Sequence, residues 1–241
     1  MTSKSSKAPS RRAATALAAL AVCGALMAGC ASTGPTDQPI ARKFQWFSYL
    51  AGEDIRDACR PGGGDRYRMV YNGVYTEQVR AYDVDVAAAS LDAAVRGPSD
   101  LGQWSVSGWS DLLAPWRGET QSRALGEDEL ADLTVALDAD GVFGPPNEGE
   151  ELSSKGFFWT VAACRDGRFR FTGFAWPSAR WDALTFDDRL FALDPVATPV
   201  NPPRRTNTGL PVTSEEQDRD HYAFHAKVGP DGLAGYGTLF K

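Results

Sequence analysis

The chain has 241 residues, of which 25 are lysine or arginine and 31 are aspartate or glutamate, giving a formal net charge of −6 at pH 7. Residues 1–29 hold four of the basic residues and none of the acidic ones, so the remaining 212 residues carry a net charge of about −10. This charge argues against nucleic acid as a partner and against adhesion to anionic lipid headgroups. The length allows one good core or two small ones.

The first thirty residues have the organisation of a targeting segment. Lys4, Lys7, Arg11 and Arg12 give it a positive start, and small and apolar residues follow from 13 to 29. That run is shorter than the roughly 20 residues of a membrane-spanning helix. We therefore expect residues 1–29 to be a signal peptide that is removed.

The stretch Leu26-Met27-Ala28-Gly29-Cys30 resembles the lipobox of bacterial lipoproteins, with small residues at the two positions before the cysteine. Met27 departs from the more usual leucine. The resemblance implies cleavage before Cys30, a thioether-linked diacylglycerol on that cysteine and often a further acyl chain. Two or more acyl chains make a stable anchor. The alternatives are an ordinary secretory peptide or a single-pass anchor, with Cys30 incidental.

Residues 30–43 are predicted to be the lipidated N-terminus and a polar, flexible tether, followed by a single globular domain over 44–241. Ala31 stands where lipoproteins retained in the inner membrane often carry aspartate. In a Gram-negative cell this favours the outer membrane, with the domain facing the periplasm. Ser10-Arg11-Arg12 is similar to a twin-arginine signal, but Ala13-Ala14 is not bulky, which favours Sec export.

The domain is predicted to begin with a helix and a hairpin. Apolar residues at helical spacing predict one amphipathic helix with a buried stripe formed by Phe47, Leu50, Ala51, Ile55, Ala58 and Cys59. Asn72-Gly73, between two β-rich runs, predicts a two-residue hairpin turn. The register of that hairpin would pair Arg68 with Glu77.

The middle of the chain alternates between strand and helix patterns. Leu91, Ala93 and Val95 alternate as in a strand, and residues 104–106 and 109–116 suggest a further strand and a helical turn. Acidic residues at 127–129 are predicted to open a helix that buries Leu130, Leu133, Ala136 and Leu137. Gly141 is placed to end this helix.

A second hairpin is predicted across Asp166-Gly167. Its register pairs Cys164 with Phe169, Ala162 with Phe171 and Phe158 with Ala175. A short helix after Ser178, a long Pro-rich polar loop at 195–220 and a strand with Phe224, Ala226 and Val228 inward complete the chain. Hairpins with a few helices and no βαβ alternation predict an α+β fold with a mostly antiparallel sheet.

Cys59 and Cys164 are the two cysteines left after the signal and Cys30. Both lie on apolar faces that need cover, one on the first helix and one on the second hairpin. Two such faces can cover each other, and thiols in an oxidising compartment usually pair. We therefore expect a structural Cys59–Cys164 disulfide with Cα atoms roughly 4.4 to 6.8 Å apart. The alternative is two buried free cysteines.

No residue pattern predicts a catalytic, cofactor or metal site. His221 and His225, if in a strand, lie about 13 Å apart, too far to bind one ion. Asp138-Ala139-Asp140-Gly141 is similar to part of a calcium loop, but Ala136 and Asn147 stand at its ends where carboxylates are needed. We interpret that segment as the end of a helix.

The run from Ile55 to Tyr82 is similar to uncharacterised lipoproteins of Gram-negative bacteria, through residues such as Cys59, Tyr67, Arg68 and Glu77-Gln78-Val79-Arg80. The resemblance implies no activity. The sequence favours a non-catalytic binding or structural domain, anchored through Cys30, that contacts an envelope protein or the cell wall.

Two other functions stay open at this point. One is a carboxylate-dependent hydrolase of envelope polysaccharide, and the other is a small-ligand carrier. Tryptophans could line a carbohydrate cleft, although packing in the core is the commoner role of that residue. The tryptophans concerned are Trp104, Trp109, Trp116, Trp159, Trp176 and Trp181.

Overall fold

Two antiparallel sheets and five helices make up the part of the chain that the computed structural model describes, residues 46–97, 118–205 and 223–238. The strands are β1 Arg66–Gly73, β2 Val79–Asp85, β3 Ser90–Arg96, β4 Glu119–Ala124, β5 Glu151–Ser153, β6 Phe157–Arg165, β7 Arg168–Ala175, β8 Phe224–Gly229 and β9 Gly232–Thr238. The helices are α1 46–51, α2 Glu53–Ala58, α3 Glu127–Ala139, α4 Ala179–Asp182 and α5 Phe186–Leu193. The predicted α+β class with a mostly antiparallel sheet is confirmed.

The larger sheet has six strands in the order β4-β3-β2-β1-β6-β7, and the smaller has the order β5-β8-β9. Strands β1 and β6 of the larger sheet are buried on both faces. In β1 every residue after Arg66 is buried, and in β6 every residue before Arg165 is buried. Because successive side chains of a strand point to opposite faces, both faces of this sheet need cover.

Helices cover one face of the larger sheet. Helices α3, α4 and α5 bury apolar side chains there, among them Leu133, Leu137, Trp181, Phe186 and Leu190, against Tyr67, Met69, Tyr71, Tyr82, Trp159 and Val161 of the strands. The centre of this core is aromatic: the Trp159 ring lies 5.2 Å from the ring of Phe186 and 5.0 Å from that of Tyr71, centroid to centroid.

The opposite face is covered by the first helices and the smaller sheet. The buried residues of this second core are Trp46, Phe47 and Leu50 of α1, Leu152, Phe224, Ala226 and Val228 of the smaller sheet, and Val70, Val79, Ala81, Phe158, Ala162 and Phe171 of the larger sheet. The three-stranded sheet therefore packs across β6 and β7. The inward alternation predicted for the last strand is confirmed by β8.

Gly52 separates α1 from α2 and brings them onto β6. Its φ is +66°, a left-handed conformation, and a Cβ built on it would lie 2.3 Å from the Cβ of Ala162. The predicted single helix is thus interrupted at Gly52, and helical phase does not continue across the break. For that reason Ala58, predicted on the buried stripe, is exposed, whereas Phe47, Leu50, Ala51 and Ile55 are buried.

Cys59 and Cys164 are joined by a disulfide, with their Cα atoms 5.6 Å apart. This distance lies within the predicted range and confirms the packing of the first helical segment on the second hairpin. The bond spans 105 residues of chain. Loss of unfolded-chain entropy in a loop of this length gives roughly 4 to 5 kcal/mol of stabilisation, less any native strain.

The turn predicted for the first hairpin, at Asn72-Gly73, is wrong. Strand β1 continues through Asn72 and Gly73, which pair with β6 as well as lying beside β2, and Arg68 pairs with Asp83 instead of Glu77. The Asn72 side chain donates to the carbonyls of Ser154 and Gly156. These tertiary bonds extend the strand, and the chain turns after it, where Val74 has a φ of 62°.

Other predicted elements stand as predicted. The second hairpin has the predicted register. A strand runs through Leu91 to Val95, as predicted. The predicted helix begins at 127–129 and ends before Gly141. Ser178 caps α4 by accepting a hydrogen bond from the Trp181 amide, 3.1 Å away. The elements predicted at 104–116 and the loop residues 206–220 lie outside the described residues.

Strands β4, β5 and β9 and helix α5 were not predicted. Within the described ranges, no helix is long and apolar enough to cross a membrane. Residues 195–205, the described part of the predicted long loop, form neither helix nor strand.

Arg68 fastens the first helices to the larger sheet. Its guanidinium donates to both oxygens of Asp54 in α2, at 2.6 and 3.0 Å, and to Asp83 in β2 at 2.8 Å. The guanidinium carbon lies 3.8 Å from the ring centroid of Tyr49 in α1, and the Tyr49 hydroxyl donates to Asp83. Burial alone would raise the pKa of Asp54, but the hydrogen bonds and charge of Arg68 outweigh it and lower that pKa.

We predict that Gly52→Ala destabilises the fold more than Gly141→Ala. Both glycines have positive φ, so each alanine incurs backbone strain of about 1 to 3 kcal/mol. Only at Gly52 does the new Cβ also collide with a packed neighbour, since nothing lies within 4 Å of a Cβ at Gly141. Chemical denaturation of the two variants measures the difference. Equal losses would contradict the close approach of Gly52 to β6.

We predict that Asp54 contributes to acid sensitivity. A carboxylate with a lowered folded-state pKa adds stability above its ordinary pKa of about 3.9, and that stability is lost as the pH falls through the lowered value. Free energies of unfolding between about pH 5 and pH 2 should therefore fall less steeply in Asp54→Asn than in the wild type. Asp57→Asn, at an exposed position of the same helix, is the control. Parallel curves for wild type and Asp54→Asn would refute the prediction.

Candidate binding cleft

A buried ion pair fixes the segment that follows α5 to the larger sheet. Arg80 of β2 is 1% exposed, and its guanidinium forms an ion pair with Asp194, whose side chain is 4% exposed. The same guanidinium donates to the carbonyl of Thr198 and to Oε1 of Gln78. A charge this deeply buried requires such a complete set of partners.

Tyr82 of β2 and Gln78, the residue just before that strand, continue the attachment. The Tyr82 hydroxyl donates to Asp194 at 2.6 Å, and Gln78 Nε2 donates to the Pro199 carbonyl at 2.9 Å. Burial, and then the hydrogen bond to the Asp194 carboxylate, raises the pKa of Tyr82, so this phenol stays protonated. The amide of Asn201 donates to Gln78 Oε1 at 2.9 Å. Residues 194–201 are thus held by hydrogen bonds to side chains of β2 and of the residue before it.

Asn201 in turn positions Arg204. Asn201 Nδ2 donates to the Gly73 carbonyl at 2.7 Å and to Glu77 at 2.8 Å, while its Oδ1 accepts from Arg204 Nη1 at 2.6 Å. Arg204 also forms an ion pair with Glu77. Its guanidinium carbon lies 5.6 Å from the ring centroid of Phe157. The arginine therefore has a defined position although it is about half exposed.

Arg204 forms one wall of a cleft of about 360 Å³, at the end of the second hairpin where β6 begins and β7 ends. We call it the Arg204 cleft. It is lined by Gly156, Phe157, Trp176, Pro177, Arg204 and Arg205. The Trp176 ring meets the Phe157 ring edge-to-face, with centroids 5.8 Å apart, and the peptide bond between Trp176 and Pro177 is cis.

The cleft combines cations with apolar rings. A guanidinium is planar and presents five N–H donors suited to carboxylate or phosphate, and an indole offers a flat apolar face. Arg205 is exposed, and among the described residues it has no hydrogen-bond or ion-pair partner. Among the described residues, the lining contains no carboxylate or imidazole that could act as a general acid or base. The groups present are suited to binding an anion attached to an apolar or ring-shaped body.

The residues singled out from the sequence lie elsewhere. The Cys59–Cys164 disulfide is at the opposite end of the same hairpin, and Cys30 and His221 lie outside the described residues. His225 is exposed on β8. Within the described ranges, no group of three His, Cys, Asp or Glu side chains could bind a metal ion.

The two aspartates of the calcium-like segment have separate roles. Asp138 lies 3.6 Å from Arg165, and Asp140 accepts hydrogen bonds from the amides of Thr185 and Phe186 at the start of α5, both 2.8 Å long. The interpretation of this segment as the end of a helix is confirmed, with Asp140 also capping the next helix.

Of the tryptophans considered for a carbohydrate cleft, Trp159 and Trp181 are buried in the core, and Trp176 is half-buried in the Arg204 cleft. Trp104, Trp109 and Trp116 lie outside the described residues. Arg80, Asp194 and the two arginines of the cleft were not predicted as site residues. A signal was present in Pro202-Pro203-Arg204-Arg205, a stiff dipeptide followed by two cations.

Comparison with known proteins gives no match: no protein-family model, curated protein or solved structure is similar to this chain.

We predict that Asp194→Ala costs about 3 to 5 kcal/mol of unfolding free energy, because Arg80 is left as a buried, unpaired charge. Arg80→Met combined with Asp194→Ala should cost less than the sum of the single variants, which a double-mutant cycle measures. Glu151→Ala, which breaks the exposed pair with Lys227, is the control and should cost under about 1 kcal/mol. Additive losses in the cycle would show that the pair is not coupled.

Proposed function

We propose that the protein is an exported lipoprotein, anchored through lipid on Cys30, with a non-catalytic binding or structural domain in the cell envelope. The observations that support the proposal are the sequence around Cys30 and the bonding of the other two cysteines. Cys30 stands in the lipobox-like stretch, and Cys59 and Cys164 are joined. Structural disulfides persist in oxidising compartments and are rare in the cytosol, so the bond supports export.

We further propose the outer membrane as the site of anchoring, with the domain facing the periplasm. Ala31 supports this location, because aspartate at that position often marks retention in the inner membrane. The fourteen residues of the tether, 30–43, reach at most about 50 Å when fully extended. The domain would therefore have access to envelope proteins or to the cell wall close to its membrane.

The Arg204 cleft supports binding in preference to hydrolysis. Glycosidases of the common type need two carboxyl groups about 5 to 9.5 Å apart on either side of the bond they cleave. Within the described residues, the lining of this cleft contains two guanidiniums and no carboxyl group. Both faces of the larger sheet are filled by packed side chains. A small-ligand carrier is the second candidate, because about 360 Å³ lies within the range of small-molecule sites.

Metabolic labelling with a radioactive or clickable fatty acid tests the anchor. We expect the wild-type protein to be labelled and to fractionate with membranes, and Cys30→Ala to be unlabelled and to retain residues 1–29. Cys23→Ala, which changes a cysteine inside the signal, is the matched control and should be labelled as the wild type is. Label on the Cys30→Ala protein, or none on the wild type, would disprove lipidation at Cys30.

A further inference from the structure

We propose that the Arg204 cleft binds a carboxylate-bearing unit of the cell-wall peptidoglycan. This inference rests on the proposed envelope location and adds a ligand class to it. The cleft, lined by residues 156–157, 176–177 and 204–205, brings two exposed arginines together with the half-buried indole of Trp176, which packs on the buried ring of Phe157.

The charge of the cleft is opposite to that of the domain. The chain from Cys30 onward has a net charge of about −10, yet the lining residues that the structure describes include two guanidiniums and no acid. Glu77 balances Arg204, which leaves the charge of Arg205 uncompensated by any described residue. The cleft therefore attracts an anion locally, on a domain that otherwise repels anions.

The position of Arg204 is fixed before any ligand arrives. Its Nη atoms donate to Asn201 and Glu77, and Asn201 is itself held by Gln78 and Gly73. Two of its five N–H donors are used in this way, so the others stay available to a ligand. A fixed arginine loses little conformational entropy on binding, which favours affinity in a small site.

The size of the cleft indicates a small ligand unit. A standard protein–protein interface buries about 800 Å² on each partner, with 20 to 30 residues a side. Six lining residues and about 360 Å³ suit one sugar ring or one short side chain. The Trp176 indole and the Pro177 ring offer an apolar surface beside the cations, which fits an amphipathic unit with a carboxylate at one edge.

Lipid phosphates share the anionic chemistry but fit less well. A bilayer presents a continuous anionic surface that opposes the approach of a domain with a net charge of about −10. A cross-linked wall polymer presents isolated carboxylates, which the cleft can contact one at a time. We therefore assign the site to the wall polymer.

Co-sedimentation of the detergent-solubilised full-length protein with purified, insoluble peptidoglycan tests the assignment. The wild type should sediment with native peptidoglycan and not with peptidoglycan whose carboxyl groups have been amidated. Arg205→Gln should weaken binding roughly tenfold, the effect of losing a charge-assisted hydrogen bond. Arg205 is exposed, so this variant keeps the fold. Trp176→Leu should also weaken binding.

Arg168→Gln is the matched control. It removes the same charge from an exposed position at the opposite end of the same hairpin, and it should sediment as the wild type does. Equal binding to native and amidated peptidoglycan, or equal binding by Arg205→Gln and Arg168→Gln, would overturn the proposal. So would Arg205-dependent binding to phosphatidylglycerol vesicles without binding to peptidoglycan, which would assign the cleft to headgroups. Fatty-acid labelling of Cys30 is independent of these outcomes and tests the anchor separately.

Discussion

Strands β1 and β6 lie side by side in the middle of the larger sheet, and almost all of their residues are buried. A strand pair of this kind cannot face water on either side, so the rest of the chain has to supply two covers. Helices α3, α4 and α5, from the middle of the chain, cover one face. The other face is covered by the two ends of the described chain, which form helices α1 and α2 and strands β8 and β9.

The second cover includes α2, a helix of six residues that is too short to be stable alone, since isolated helices under about 12 residues are marginal in water. Three contacts of different kinds compensate for this. Gly52 allows the backbone to approach Ala162, Arg68 joins Asp54 to Asp83, and the Cys59–Cys164 disulfide ends the segment. A steric fit, an ion-pair cluster and a covalent bond thus act on one stretch of thirteen residues, 47–59.

The second hairpin was predictable from the sequence because its turn and its apolar alternation specify the same register. The first hairpin was not, because the Asn72-Gly73 signal is local, whereas the hydrogen bonds that hold Asn72 in the strand come from residues more than 80 positions away. Strand β4 has an almost wholly exposed sequence without alternation. The cleft combines residues from three distant parts of the chain, and no motif connects them.

Residues 194–205 contribute to the proposed binding cleft at the surface, although both cores of the fold are filled by packed side chains. These residues cross the sheet without helix or strand of their own, and the carbonyls of Thr198 and Pro199, which face the buried side chains of Arg80 and Gln78, would be unsatisfied without those donors. Fixing this segment also places Arg204 and Arg205 beside Trp176 at the open end of the hairpin. The other end of that hairpin is held by the disulfide. Gly156, Trp176 and Pro177 therefore lie next to the ends of β6 and β7, and Arg204 lies on a braced segment, so these groups are positioned before a ligand arrives.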